Sequence, residues 1–287
     1  MKHIDLADAQ SCEIFQYPGG ETQSRLTYEA RDKIKRLAAG THELDLVWRF
    51  GTEPRLIVLP QIVDAIRALE PTLHIHLWVP YLPYARADRR FVLGDTYGLG
   101  VFGALINSLA LDSVITLDPH SPAAFTSINR LNTLDPLKYI ERAIVEFWRS
   151  HNRPRAISLL FPDAGAQQRY QLPNTIGCNT VEIRLDQFNS TKIRNPETGR
   201  LTGFQVPVIP SQPTLVIDDI CDGGGTFNGL APQLPEPRGL YITHGIFSGD
   251  MQVLQSNYPN IYTTDSYNER SVFGVTKYPI PINTLCP

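Results

Sequence analysis

The chain has 287 residues, 42% of them hydrophobic and 19% charged, with a net charge of −3. That is length for one large domain or two of ordinary size, with apolar content enough for a real core; it excludes a disordered tail protein. The mildly acidic balance excludes an overall basic field that would recruit nucleic acid.

Taken in order, the N-terminal MKHIDLADAQ carries charge where a signal peptide needs an apolar stretch, and no apolar run reaches membrane-spanning length. The four cysteines (Cys12, Cys178, Cys221, Cys286) form no Cys-x-x-Cys pair. The expectation is a soluble cytoplasmic protein with reduced thiols and no nucleic-acid or membrane partner. RLIVLP (55–60) reads as a strand leading into QIVDAIRALE, whose apolar residues have helical spacing. HIHLWVP (74–80) reads as a strand, TYGLGVFGALINSLA (96–110) as a helix, and SVITLD (113–118) as a strand. The helix in LDPLKYIERAIVEFWRS (134–150) reads as an inter-domain passage and sets the expected boundary near residue 138: one domain over 1–138, a second over 139–287, with the last residues packing back on the first. Further strands are AISLLFPD (156–163), TVEIRL (180–185), TLVIDD (214–219), RGLYITHG (238–245) and, more weakly, NIYTTDS (260–266).

Strands alternating with helices predict an α/β fold, parallel sheets with helices on both faces, whose ligands bind at the carboxyl ends of the strands. The polar tails YARADRR, DPHSP, PDAGAQQR, DDICDGGGT and THGIFS all fall there. In the fourth, a strand ends in Asp218 and Asp219 and runs through Asp222 into Gly223, Gly224, Gly225 and Thr226. Bare backbone amides before a helix cradle phosphate, and Thr226 can cap the helix or bond a phosphate oxygen. The aspartates would repel phosphate, but they can accept hydrogen bonds from vicinal ribose hydroxyls. The string therefore reads as a site for a phosphorylated ribose.

VIDDICDGGGT resembles the ribose-phosphate loop of type I phosphoribosyltransferases and of phosphoribosyl pyrophosphate synthetases. VPYLPYARADRR (79–90), ITLDPHSP (115–122), FPDAGAQQRY (161–170) and FQYPGGE (15–21) resemble stretches of the synthetases, in the same order. The resemblance implies two tandem phosphoribosyltransferase-like domains, the ATP side in the first and the ribose-phosphate loop in the second. It also implies Mg²⁺-dependent transfer of the β,γ-diphosphoryl group of ATP to the 1-hydroxyl of a ribose. By the same resemblance Phe15, Glu21, Arg86, Asp88, Arg89 and His120 face ATP, and His120 and Asp163 lie on the magnesium side. Lys192 and Arg194, in NSTKIRNPETGRLTGF (189–204), belong to a loop that closes on the ATP phosphates, with Arg86 as a further catalytic cation. Arg90 and Arg200 are reserve candidates. The family implies a dimer or hexamer, with FQYPGGE reaching a neighbouring subunit's ATP site.

Two departures stand out. Ala87 replaces a glutamine of the ATP stretch, and Asp222-Gly223-Gly224-Gly225-Thr226 replaces Asp-Thr-Ala-Gly-Thr. The second loses a hydroxyl donor and opens space, as suits a 5-phosphate that continues into a larger group. This resembles a phage and bacterial branch that pyrophosphorylates ADP-ribose, after which a nicotinamide-transferring enzyme rebuilds NAD. Ribose 5-phosphate as acceptor, a catalytically silent regulatory homologue and a phosphoribosyltransferase stay open as alternatives. Lys192, Arg194, His120 and Asp163 argue against silence, and the ARADRR and DPH strings against the transferase.

Overall fold

The computed structural model describes residues 3–50, 56–194, 201–268 and 270–282, with no account of the Arg194 and Leu201 side chains. The chain divides into two units. The first comprises the described residues through Leu134, with Ser266–Asn268 and those from Ile280 onward; the second comprises Asp135–Asp265 and the described residues through Pro279.

The first unit runs β1 (His3–Asp5), β2 (Cys12–Gln16), β3 (Thr22–Leu26), α1 (Tyr28–Ala38), β4 (Glu43–Val47), α2 (Val58–Leu69), β5 (His74–Trp78), α3 (Gly98–Ser108), β6 (Ser113–Leu117), α4 (Ala123–Ser127) and β7 (Leu131–Leu134). Its sheet has the order β1-β4-β5-β6-β7, every neighbour parallel. Leu44, Leu46 and Val47 of β4 and Ile75 and Leu77 of β5 are all fully buried, so successive side chains are covered whichever way they point, as central parallel strands require. Helix α1 starts where Thr27 accepts the Ala30 amide at 3.1 Å and buries Ala30, Ile34 and Ala38, one residue per turn. β2 and β3 stand apart as an antiparallel hairpin, Phe15 opposite Gln23.

One expected strand is a helix. The RLIVLP run contributes its last three residues to the first turn of α2, whose buried stripe Val58, Leu59, Ile62, Val63 and Ile66 extends the helical period backward. Pro60 does not prevent this: it is the third residue of the helix, where a backbone N–H has no intrahelical partner to lose. Arg55 lies outside the described residues.

The second unit runs α5 (Leu137–Ser150), β8 (Ala156–Phe161), α6 (Ala164–Tyr170), β9 (Thr175–Cys178), β10 (Val181–Asn189), β11 (Thr191–Arg194), β12 (Leu201–Gln205), β13 (Thr214–Cys221), α7 (Gly225–Leu230), β14 (Arg238–Gly245), α8 (Met251–Asn257), β15 (Asn260–Thr264) and β16 (Val275–Tyr278). Its seven-stranded sheet has the order β16-β15-β14-β13-β8-β10-β9, parallel except for β9 against β10. β11 and β12 form a separate antiparallel hairpin continuing from β10. Helix α5 buries Tyr139, Ile140, Ala143, Ile144, Phe147 and Trp148, a clean 3.6-residue stripe.

The two mainly parallel α/β units are the fold class expected. The described cysteines, Cys12, Cys178 and Cys221, are buried and in no disulfide, while Cys286 lies outside the described residues. Among the described residues no helix is long and apolar enough to cross a membrane.

Candidate active site

In the second unit, β8 and β13 are adjacent parallel strands, so their carboxyl ends open side by side. Asp218 and Asp219 lie near the carboxyl end of β13, which closes at Cys221, and the chain then turns through Asp222 and the three glycines into α7. Gly224 has φ of +78°, a left-handed conformation that favours glycine. Gly223 and Gly225 differ: neither has a positive φ, and a Cβ on either would meet no protein atom within 4 Å. Neither backbone conformation nor packing requires glycine there. The loop is braced by the tail of β14. Ile246 and Phe247 donate their amides to the Cys221 carbonyl (2.9 and 3.1 Å), Ser248 donates its amide to the Asp222 carbonyl (3.1 Å), and its hydroxyl donates to Asp222 Oδ1 (2.5 Å). Gly249 does have a packing reason, since a Cβ there would lie 2.3 Å from the Gly223 carbonyl oxygen.

The two strand-end aspartates are not equivalent. Asp219 is buried, and its Oδ2 receives a very short hydrogen bond from Arg169 of α6. Asp218 is half-buried, and its Oδ1 accepts the Asp219 amide at 2.9 Å. Desolvation and the neighbouring Asp219 charge push the Asp218 carboxyl well above the usual carboxylate range, with Lys192 acting in the opposite direction. The Cys221 thiol behind the loop is pushed up to about 12 by burial and by the Asp218 and Asp222 charges, so it is not a nucleophile at neutral pH.

Asp163 caps α6, accepting the Ala166 amide at 2.9 Å, and its other oxygen receives Lys192 Nζ at 2.7 Å. Burial raises the Asp163 pKa, but the Lys192 and Ala166 hydrogen bonds and the Lys192 charge outweigh it and leave the carboxyl below its ordinary value. Lys192, Asp163, Arg169, Asp218 and Asp219 thus form one charged cluster on three neighbouring strand ends. Arg194 is the last residue of β11, but its side chain and the whole of Arg200 lie outside the described residues.

In the first unit, the chain leaving β5 carries Arg86, Asp88, Arg89 and Arg90, and the chain leaving the adjacent β6 carries His120 and Ser121. Asp88 receives Arg89 through two bonds of 2.9 Å. That contact, against the opposing effect of burial and aided by Ser121 and His120, holds its carboxyl at about 2. Arg86 and Arg89 are exposed. Arg90 lies 5.9 Å from the centre of the Tyr97 ring and donates to the Asp95 carbonyl. Phe15 and Glu21 belong to a different element, the β2–β3 hairpin. Phe15 stacks edge-on with Tyr17 at 5.5 Å under the Arg25 guanidinium, and the Glu21 carbonyl closes the turn by accepting the Tyr17 amide.

Magnesium is held by hard oxygens, usually one or two carboxylates plus substrate phosphates. Among the described residues no group of three or more His, Cys, Asp or Glu side chains could hold a metal ion. Asp163 is a carboxylate donor that fits an ion arriving with a polyphosphate rather than a cage built wholly from protein. Sequence reading missed Arg169, Ser248 and Gly249. Arg169 stands in the PDAGAQQR tail and Ser248 in THGIFS, so both lay in strings placed correctly at strand ends; their partners are fixed only by strand order.

No family model matches the chain. It is 26% identical over 213 residues to the ribose-phosphate pyrophosphokinase of Saccharolobus solfataricus, covering 73% of this chain and 66% of that one. It is 28% identical over 228 residues to that of Rhizobium meliloti, covering 76% and 69%. The crystal structure of phosphoribosylpyrophosphate synthetase from Mycobacterium smegmatis superposes with a TM-score of 0.70 at 14% identity, over 95% of this chain and 87% of that one. The chain is therefore related in sequence to ribose-phosphate pyrophosphokinases over about two thirds of their length, and its fold is that of a phosphoribosylpyrophosphate synthetase.

Proposed function

We propose that the protein is an ATP-dependent pyrophosphokinase that transfers the β,γ-diphosphoryl group of ATP to the 1-hydroxyl of a ribose bearing a 5-phosphoryl group. The anomeric oxygen attacks the β phosphorus, the bond between that phosphorus and the α,β-bridging oxygen breaks, and AMP leaves. There is little covalent work for the protein, so positioning and electrostatic stabilisation carry the rate. Asp218 accepts hydrogen bonds from the ribose hydroxyls, and the amides of Gly223 to Thr226 receive the 5-phosphate. Lys192 and Arg194 offset charge on the transferred group, while Arg86 and Arg89 hold the ATP phosphates. Magnesium, when bound, would neutralise polyphosphate charge; Asp163 is the proposed carboxylate donor in the second unit and His120 the proposed magnesium-side residue in the first.

The acceptor we propose is ADP-ribose, giving its 1-pyrophosphate for a nicotinamide-transferring partner enzyme. One observation carries this: Gly223, which stands where the resembled pattern has threonine, is a glycine that neither φ nor packing demands, whereas Gly224 is favoured by its φ of +78° and Gly225 is common to both patterns. A side chain is absent where a ligand with bulk beyond its 5-phosphate would need the space. The kinship with ribose-phosphate pyrophosphokinases favours ribose 5-phosphate instead. The test incubates the protein with ATP and Mg²⁺ and either acceptor, measuring AMP and product mass. AMP with ADP-ribose and a product heavier by one diphosphate supports the proposal. AMP with ribose 5-phosphate alone overturns the acceptor and leaves the chemistry standing. No AMP with either refutes both.

A further inference from the structure

The ribose site of the proposed reaction presents two adjacent carboxylates, Asp218 and Asp219, and the structure treats them differently. The Asp219 side chain is 5% exposed, and Arg169 reaches it from α6, itself only 24% exposed. The Asp218 carboxylate folds back on the Asp219 amide and remains half-buried near the carboxyl end of β13. Arg169 is the penultimate residue of α6, the same short helix whose first turn is capped by Asp163. Its position is thereby tied to the residue that holds Lys192.

We propose that Arg169 is a positioning residue that fixes and neutralises Asp219, so that Asp218 alone of the pair meets the ribose hydroxyls. Two neighbouring carboxylates cannot both be ionised in a poorly solvated pocket without a cation between or behind them. With Arg169 in place, Asp219 forms a closed, hydrogen-bonded ion pair. The Asp218 carboxylate then approaches the sugar without a second bare negative charge beside it. The inference rests on the proposed phosphoribosyl acceptor site.

The test compares wild type with Arg169→Gln, Arg169→Lys and the double variant Arg169→Gln/Asp219→Asn, which keeps the contact neutral if the single change harms the fold. Ribose 5-phosphate and ADP-ribose binding is measured by calorimetry, and kcat/KM for the acceptor against pH. Loss of a nearby cation raises a carboxylate pKa by about one unit or more, so Arg169→Gln should move the acid limb of the acceptor profile up by about one pH unit and weaken acceptor binding about tenfold. The ATP KM should stay within about twofold. The lysine variant should recover part of this, and the double variant should return the acid limb to the wild-type position or below. A lowered melting temperature with acceptor binding and acid limb unchanged would reduce Arg169 to a structural residue and overturn the inference. Wild type that binds neither acceptor would refute the acceptor site and the inference together; wild type that binds while Arg169→Gln binds identically refutes only the inference.

Discussion

The strand ends of the two units carry opposite chemistries. After β5 and β6 the cationic side chains are solvent-facing: Arg86 and Arg89 are exposed, and Asp88, which lies between them in sequence, is held ionised at about 2 by Arg89. After β8 and β13 the carboxylates dominate and are partly desolvated, and the cations Lys192 and Arg169 are held in ion pairs. Solvated guanidinium groups suit the several charges of a polyphosphate, to which they bind in a planar, forked geometry. Carboxylates beside bare amides suit a sugar with one phosphate. In the proposed reaction the first would be the donor end and the second the acceptor end, distinguished by charge and solvation.

The largest way to break this contrast is Lys192→Ala. If the ammonium parked on Asp163 is the cation that meets the transferring group, turnover should fall about 10²- to 10³-fold. The loss of a half-exposed ion pair should cost no more than about 1 kcal/mol of stability. Single-turnover AMP release and a thermal melt check both, and unchanged turnover removes Lys192 from the mechanism.

A smaller effect separates the glycines. Gly223→Ala and Gly225→Ala should leave the fold as stable or up to about 1 kcal/mol more so, because the unfolded chain loses freedom and nothing is struck. Acceptor KM should nonetheless rise, more for ADP-ribose than for ribose 5-phosphate. Gly224→Ala, at φ +78°, should instead cost about 1 kcal/mol of stability. If Gly223→Ala uses both acceptors like wild type, the space around the loop has no bearing on substrate choice.

Asp218→Asn should weaken acceptor use more than ATP binding while raising the melting temperature. In the folded protein the Asp218 carboxyl keeps its proton more tightly than in the unfolded chain, so its ionisation weakens the fold as pH climbs above about 4. The stabilisation by asparagine should therefore grow above about pH 4 and level off once the folded carboxyl is ionised; melts across that range decide the sign. The smallest effect is expected from Arg89→Ala. Asp88 is depressed in the folded state, so its contribution is present above about pH 4 and is lost as pH falls through about 2. Removing Arg89 should shrink that acid-induced loss and raise the ATP KM.

What the sequence made legible was local. TLVIDD followed by CDGGGT announced a strand, a turn and a helix start, and β13, the loop and α7 lie there. The polar tails could be assigned to strand ends because period and turn residues mark where strands stop. RLIVLP misled because four consecutive aliphatic residues look alike in a buried strand and a buried helical turn, and Pro60 suits the first turn of a helix as well as a strand end. The β2–β3 hairpin and β9 carried too weak an alternation to stand out. Arg169, Ser248 and Gly249 act through β8, β13 and β14 lying side by side, an order that no single stretch of sequence contains.

The most direct test follows the β phosphorus. With ATP labelled at the β phosphate, the account predicts that the label leaves on the sugar product, in step with unlabelled AMP and only when a ribose acceptor is present. Label recovered in ADP would mean transfer of the γ phosphate alone, and label released as free pyrophosphate with the AMP moiety joined to the sugar would mean attack at the α phosphorus. Either would contradict the assignment of this chain as a pyrophosphokinase.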